Sequence, residues 1–248
     1  METTTTRQKD PAKLQTLLNS LNGYNGRWRH NDERWKITDE YASYRDPNGN
    51  PIITKERTTY VREILEYQYK LLVQQRNMRQ QPIDTHVLDI CHRFLLDKTT
   101  RTNLLLFGRP GTGKTTFMRA MWMTIGFLYQ EEISRSQISN KYIKASGLGA
   151  ILKNDKDEYK KTKEATCLFI DDLGFNGESE MVNDYGVKAR PIEDIIEYRY
   201  DRQKLTVCTT NLTAGEIRDK YGERIYSRIC ETFSMVPVNG MDFRQTSA

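Results

Sequence analysis

Long apolar runs are missing from this 248-residue sequence. Nowhere do about 18 apolar residues stand together, the length a helix needs to cross a bilayer, so no membrane span is expected. The polar start, Met1 to Thr6, lacks the apolar stretch of a secretory signal. Cysteine is sparse: Cys91, Cys167, Cys208 and Cys230 are the four in the chain. They form no C-x-x-C pair, and His92 beside Cys91 does not complete a zinc knuckle, which excludes a disulfide framework and a zinc module. All four read as reduced core residues of a cytoplasmic protein. No acidic or basic tail is present, and the formal charge of +5 is spread along the chain. Such a mild balance permits nucleic-acid binding without arguing for it. With hydrophobic residues at 37% and a mean hydropathy of −0.74, a heavily solvated surface or partner-meeting helices are expected.

What the chain does have is glycine in one telling order. Gly108-Arg109-Pro110-Gly111-Thr112-Gly113-Lys114-Thr115-Thr116 fits G-x-x-x-x-G-K-[ST], the phosphate-binding loop. Consecutive backbone N–H groups must turn inward around phosphate oxygens, and a Cβ would forbid the necessary φ values and close approach. Lys114 is then expected to reach the β- and γ-phosphates of ATP, and the Thr115 hydroxyl to hold Mg²⁺. The context suits the motif, because the apolar run Asn103–Phe107 reads as a strand before it and Thr116–Leu128 as a helix after it.

Ahead of this core, residues 1–10 are polar, and Leu14, Leu17, Leu18 and Leu21 lie on one helical stripe. Tyr24, Trp28, Trp35, Tyr41 and Tyr44 then interleave with Arg27, Arg29, Arg34, Lys36 and Arg45. That pattern suits either base stacking or the core of a small domain with few aliphatic residues. Asp46 to Pro51 is a dense turn signal. Lys55 to Arg79 reads as an amphipathic helix, with Tyr60, Ile64, Tyr67 and Leu71 on one stripe and Val61, Leu65 and Leu72 beside it. It packs either on the next domain or on a partner. The boundary falls near Pro82, dividing residues 1–80, a mostly helical partner-binding region, from residues 81–248. His86–Leu96 is a further helix.

Downstream, Lys141–Ala145 reads as a strand, Leu148–Lys153 as a helix, and the charged run Asn154–Lys163 as a solvated loop or helix end. Cys167-Leu168-Phe169-Ile170-Asp171-Asp172 describes a buried strand that delivers two carboxylates at its end, the second half of the phosphate-loop machinery. Asp171 would hold Mg²⁺ through water, and Asp172 stands where a carboxylate polarises an attacking water; the alternative is a plain strand-end turn. A polar loop through Glu178 and Glu180 leads to a helix over Ile192–Tyr200 and a strand over Leu205–Asn211. Asn211 suits a water or a γ-phosphate oxygen, since ligands sit at the carboxyl ends of parallel strands. Its alternative is a helix N-cap or a turn residue. Two helical stretches follow, Ala214–Lys220 and Gly222–Cys230, the second with Arg224 and Arg228 on one face, and then a fifth strand, Phe233–Val236.

Four stretches carry a resemblance: Leu106–Thr115, Leu168–Gly174, Arg199-Tyr200 before Thr209–Leu212, and Gly222–Ile229. Over roughly residues 85–240 the chain resembles the AAA+ ATPases, and within them the DnaC/IstB group of helicase loaders and transposition helpers. The resemblance implies a three-layer α/β/α sandwich around a five-stranded parallel sheet, without a carboxyl-terminal helical lid, and ATP hydrolysis at a homo-oligomer interface. Arg228 matches the family's arginine finger, with Arg224 one turn earlier as a possible helper; the alternative is a solvated helix face. Asp172 departs from the glutamate common in wider AAA+ proteins, so Glu178 or Glu180 could share its role, and Arg244 is the only substitute for a second sensor arginine. The implied partners are a replicative helicase and single-stranded DNA, or a transposase and duplex DNA in the alternative. Lys141 and Lys144 are candidates for DNA contact. A small-molecule kinase and a non-hydrolysing ATP switch are the competing classes. The kinase is disfavoured by the water-activating arrangement of Asp171, Asp172 and Asn211.

Overall fold

The computed structural model describes residues 55–75, 83–96, 101–129, 133–136, 138–174, 181–184, 187–240 and 242. The Leu14–Leu21 stripe, the aromatic segment around Trp28 and Trp35, the loop acids Glu178 and Glu180, and Arg244 lie outside the described residues. In chain order the elements are α1 (Lys55–Gln75), α2 (Thr85–Leu96), β1 (Asn103–Phe107), α3 (Lys114–Leu128), β2 (Asn140–Lys144), α4 (Ala145–Asn154) and α5 (Lys156–Glu164), then β3 (Cys167–Leu173), β4 (Val182–Asp184), β5 (Val187–Ala189), α6 (Pro191–Asp201), β6 (Leu205–Thr210), α7 (Ala214–Thr232) and β7 (Phe233–Pro237).

The five-stranded sheet has the order β2-β3-β6-β1-β7, and each neighbouring pair is parallel. Helices cover both faces, which is why the inner strands read as near-continuous apolar runs rather than as alternating ones. Leu104, Leu106, Phe169 and Val207 point to a core shared with α1, α2 and α3. Leu105, Leu168, Ile170 and Cys208 point to the other face, against α4 to α7. This is the three-layer sandwich that the resemblance implies.

Helix α1 packs on the sheet and its helices. Val61, Leu65, Tyr69, Leu72 and Val73 are buried with α2, α3 and β1, and the Tyr69 ring lies 4.5 Å from Phe117, tilted by 40°. Of the expected apolar face, Val61, Ile64, Leu65 and Leu72 are buried, while Tyr67 is exposed, because the helix meets its neighbours mainly along positions 61, 65, 69 and 72. Two further expectations are corrected. The charged run after Asn154 is a helix, capped by the Asp155 side chain accepting from the Glu158 N–H at 2.8 Å; Tyr159 and Thr162 give it a buried face that its high charge conceals. The stretch before α6, read as loop, contains the antiparallel β4–β5 pair.

Helix α7 breaks where the sequence divides it, at Gly222 with φ 81° and ψ 164°. Its start is a capping box between Thr213 and Glu216. Cys91, Cys167 and Cys208 are buried and free, whereas Cys230 is half-buried, a correction to its expected core position. Burial pushes the Cys91 and Cys167 thiols up to about 12.

One buried cation ties the amino-terminal edge of the sheet. Arg199 is 1% exposed. Its Nε donates to Thr206 Oγ1 (2.9 Å), Nη1 to the carbonyls of Lys163 (3.0 Å) and Ala165 (2.6 Å), and Nη2 to Leu205 O (2.5 Å). A guanidinium out of water needs its donors paired, and here the carbonyls before β3 and at the start of β6 supply the acceptors. Arg199→Ala strands these acceptors and opens a cavity, so it should cost about 3–5 kcal/mol. A urea titration checks this; a loss below about 1 kcal/mol would show that the cluster does not hold these elements together.

Candidate nucleotide site

The carboxyl ends of β1, β3 and β6 meet at one edge, and the phosphate loop leaves β1 there. Gly111 (φ 81°) and Gly113 (φ 94°) both take left-handed backbone conformations, which glycine adopts without the penalty a Cβ imposes. Gly113 also caps α3, which begins at Lys114 and not at Thr116 as expected. The N–H groups of the first turn of α3 therefore stand at the end of the loop, the placement that anion binding uses. Thr112 Oγ1 donates to Arg109 O at 3.0 Å. Lys114 Nζ donates back to the carbonyls of Gly108 (2.8 Å) and Arg109 (2.6 Å), so the cation is held in the loop. Arg109 and Pro110 are exposed at the tip, while Thr116 is buried under it. The chain beyond β7 runs against the loop: Val238 N donates to Phe107 O at 2.8 Å, and a Cβ on Gly111 would lie 1.8 Å from Asp242 Oδ1. The described residues beyond β7, 238–240 and 242, contain no helix.

Asp171 is 1% exposed and accepts three hydroxyl hydrogen bonds. Thr115 Oγ1 (2.9 Å) and Thr209 Oγ1 (2.6 Å) donate to Oδ1, and the Tyr142 hydroxyl (2.5 Å) donates to Oδ2. The predicted pair Thr115 and Asp171 is thus brought together from α3 and β3. The β3–β6 register breaks between Ile170 and Leu173, for Ile170 faces Cys208 while Leu173 faces Thr210. Asp171 and Asp172 together oppose the single residue Thr209, a bulge. Thr209 answers both acids, donating to Asp171 and accepting from the Asp172 N–H at 2.9 Å. Asp172 closes the bulge at φ 57°. Aspartate tolerates the left-handed region better than most residues, which gives a physical reason for the shorter acid at this position.

Asn211 follows β6 directly and is exposed at the same edge. The cap of α7 is Thr213, so Asn211 does not serve as that N-cap. Arg224 and Arg228 lie elsewhere, on the α7 face turned toward α6. Arg224 Nε lies 2.9 Å from Glu197 Oε1 with its side chain 73% exposed. Arg228 is 16% exposed, with Nη1 2.8 Å from the same oxygen and Nη2 3.8 Å from Asp201. Its guanidinium lies 4.8 Å from the Tyr200 ring centroid. Nη1 has no aligned hydrogen-bond acceptor, so the contact with Glu197 is an ion pair without a well-directed hydrogen bond. Lys141 pairs with Glu158, and Lys144 is exposed at the end of β2.

Sequence reasoning missed Thr209 and Tyr142. The buried hydroxyls of β6 offered a signal for the first, since a polar residue inside a covered strand needs a partner. Nothing local marked Tyr142, whose role depends on which strand lies beside β2.

The oxygen donors around Asp171 are hard ligands of the kind that suit Mg²⁺, and among the described residues no group of three or more His, Cys, Asp or Glu forms a competing metal site. Sheet order, glycine loop and hydroxyl-bound carboxylate define a P-loop nucleotide-binding protein. The model of the ATPase family associated with various cellular activities (AAA) matches residues 104–232, more than half of the chain, and the chain belongs to that family. No curated protein matches the chain. Among solved structures it is similar to the crystal structure of the DnaC helicase loader, with 22% identity over 64% of this chain and 92% of that chain and a TM-score of 0.49. It is also similar to the crystal structure of DnaI, with 19% identity over 74% of this chain and 93% of that one and a TM-score of 0.49. AMPPCP-bound DnaA from Aquifex aeolicus gives 15% identity over 66% of this chain and 49% of that chain, with a TM-score of 0.46. No helix among the described residues is long and apolar enough to cross a membrane.

Thr209→Val tests the geometry of the bulge. It keeps the side-chain shape but removes one donor to a buried carboxylate and the acceptor of the Asp172 N–H. Stability should fall by about 2–3 kcal/mol, read from the urea midpoint; an unchanged midpoint would mean that the hydroxyl is not needed there.

Proposed function

We propose that the chain hydrolyses ATP with Mg²⁺ and acts as a DnaC-like helicase loader. The observation that carries the hydrolytic reading is the 2.9 Å contact between Thr115 and Asp171, because it joins the phosphate loop to the strand that ends in two acids. Gly108 to Thr116 would cradle the phosphates, with Lys114 turning from the Gly108 and Arg109 carbonyls to the β- and γ-oxygens. Thr115 and Asp171 would hold Mg²⁺, which supplies neutralisation of phosphate charge. Asp172, on its bulge, would orient or deprotonate the attacking water, and Asn211 would hold that water or a γ-oxygen.

Topology supports a shared site. Helix α7 starts at the carboxyl edge of β6 and ends where β7 begins, at the opposite edge of a parallel sheet. Arg228 stands in the second half of that helix, past the break at Gly222 and toward the edge where β7 begins, so on this reading it lies away from its own loop. An arginine there serves a nucleotide held by another copy, with Arg224 as its neighbour on the exposed surface. Glu197 and Asp201 would hold it until that copy arrives.

The loader reading rests on the resemblance over Leu106–Thr115, Leu168–Gly174, Arg199-Tyr200 and Gly222–Ile229. In it, residues 1–80 grip a replicative helicase, α1 relays that contact into the ATPase core it packs against, and the assembled chains bind single-stranded DNA. The test is co-purification of the full chain with a replicative helicase, compared with a transposase, together with ATP-dependent binding to single-stranded and duplex DNA. Capture of the helicase with a single-strand preference is expected. Filaments on duplex DNA with transposase capture would replace this reading with the transposition helper.

Single substitutions separate the steps. Lys114→Ala should abolish nucleotide binding in a fluorescent-nucleotide titration. Asp172→Asn should bind normally and lose about 10²–10⁴-fold in phosphate release. Arg228→Ala should bind ATP and lose about 10³-fold or more in turnover of the assembled state; normal turnover there would remove Arg228 from the site.

A further inference from the structure

Tyr142 belongs to β2, the edge strand, yet its hydroxyl reaches the buried acid of the next strand. In the parallel register Tyr142 sits beside Phe169, and Lys144 beside Asp171. Tyr142 is therefore the diagonal neighbour of Asp171 on the face turned toward α3, a separation that an aromatic side chain spans. Helix α3 fixes the ring. Trp122 lies 5.6 Å away, tilted by 45°, and Arg119 stands 5.7 Å from the ring centroid. Trp122 Nε1 donates to Asn140 O at 3.3 Å, while Asn140 Nδ2 donates to Trp122 O at 2.9 Å, so β2 is clipped to the helix that begins with Lys114 and Thr115. The hydroxyl then donates to Asp171 Oδ2 at 2.5 Å. Burial, followed by the bond to Asp171, raises the phenol above its ordinary range.

We infer that Tyr142 is a positioning residue for the metal: by holding Oδ2 of Asp171 it turns Oδ1 toward Thr115, where Mg²⁺ bound to the nucleotide is recognised. The inference rests on the Mg-ATP reading of the same site. Thr115 and Thr209 share Oδ1, and Tyr142 alone among the described hydroxyl partners holds Oδ2. Without it only Oδ1 is held, by Thr115 and Thr209, and a metal ligand that is less firmly oriented binds less well, as the loss of an outer hydrogen-bond partner typically weakens a metal site by about 10–100-fold.

The experiment measures the affinity of the full chain for a fluorescent ATP analogue, in EDTA and across a Mg²⁺ titration, for the wild type, Tyr142→Phe and Tyr142→His. Leu88→Ala, a buried change in α2, serves as a purely destabilising control. In the wild type Mg²⁺ should tighten binding. Tyr142→Phe should bind the analogue normally in EDTA but need about tenfold more Mg²⁺ for the same tightening, and Tyr142→His, which returns an N–H donor on a smaller ring, should recover part of the loss. Leu88→Ala should lower the melting temperature and leave the Mg²⁺ requirement alone. An unchanged requirement in Tyr142→Phe overturns the inference, as does an equal shift in Leu88→Ala. Should Tyr142→Phe not fold, a wild-type requirement in folded Tyr142→Leu, which has no donor for Oδ2, overturns it as well. If instead the wild type shows no Mg²⁺ effect on nucleotide affinity, the Mg-ATP reading itself fails, and the two failures are told apart.

Discussion

A carboxylate taken out of water is costly unless its oxygens are met by donors, and this constraint organises the carboxyl edge of the sheet. Asp171 is met by three hydroxyls, from α3, β2 and β6. Those donors arrive only if β3 lies between β2 and β6, as it does in the order β2-β3-β6-β1-β7, and if α3 starts at the end of β1. A sheet shuffled by one strand would leave the acid buried and unpaired. The site and the topology are thus one requirement, because the group that would meet the metal also makes other strand orders unfavourable.

The opposite edge solves the mirror problem. Arg199 is a buried cation satisfied by carbonyls before β3 and at the start of β6, so the strand that presents the two acids is anchored at its far end by a charge of the other sign. Between these anchors the β3 backbone still has slack for a bulge. Its consequence is visible in the faces: Ile170 and Leu173 both join the core under α4 to α7, although three positions apart in a regular strand they would point to opposite sides. The extra residue is what lets Asp171 turn inward to Thr115 while Asp172 stands half-exposed at the edge in a left-handed conformation.

Much of this was legible in the sequence because it is local. Glycine order fixed the phosphate loop, apolar runs fixed the strands, and Gly222 marked the break in the last helix. What failed to show depends on packing. The helix Lys156–Glu164 hides because its charge masks two buried residues, Tyr159 and Thr162. In α1 the apolar pattern marks Val61, Ile64, Leu65 and Leu72, which are buried, but also Tyr67, which is exposed, since only the neighbours of that helix choose among its apolar positions. Thr209 and Tyr142 stayed unseen for a different reason. Each is an ordinary strand residue until a second strand places an acid beside it, and strand neighbours are not written in any short window.

Arg228 shows how far topology alone carries a functional argument. In a parallel sheet every crossover helix begins at the edge where ligands bind and ends at the edge where they do not. A cation near the end of such a helix cannot complete the site of its own chain unless the helix is broken and folded back. Gly222 does break α7, yet the second half continues to β7, with Ile225 and Ile229 buried beneath it and Arg101 donating to the carbonyls of Cys230 and Phe233. The end of the helix is therefore held at the far edge from both sides. Either Arg228 is a structural cation paired with Glu197, or its chemistry belongs to a neighbour. Its side chain lies over the Tyr200 ring beside two acids, and Arg224 on the same oxygen is mostly in solvent. Arg224 and Arg228 stand beside two acids, Glu197 and Asp201, so their charges balance at that surface, and either arginine would have to leave these acids to reach a triphosphate held by another molecule.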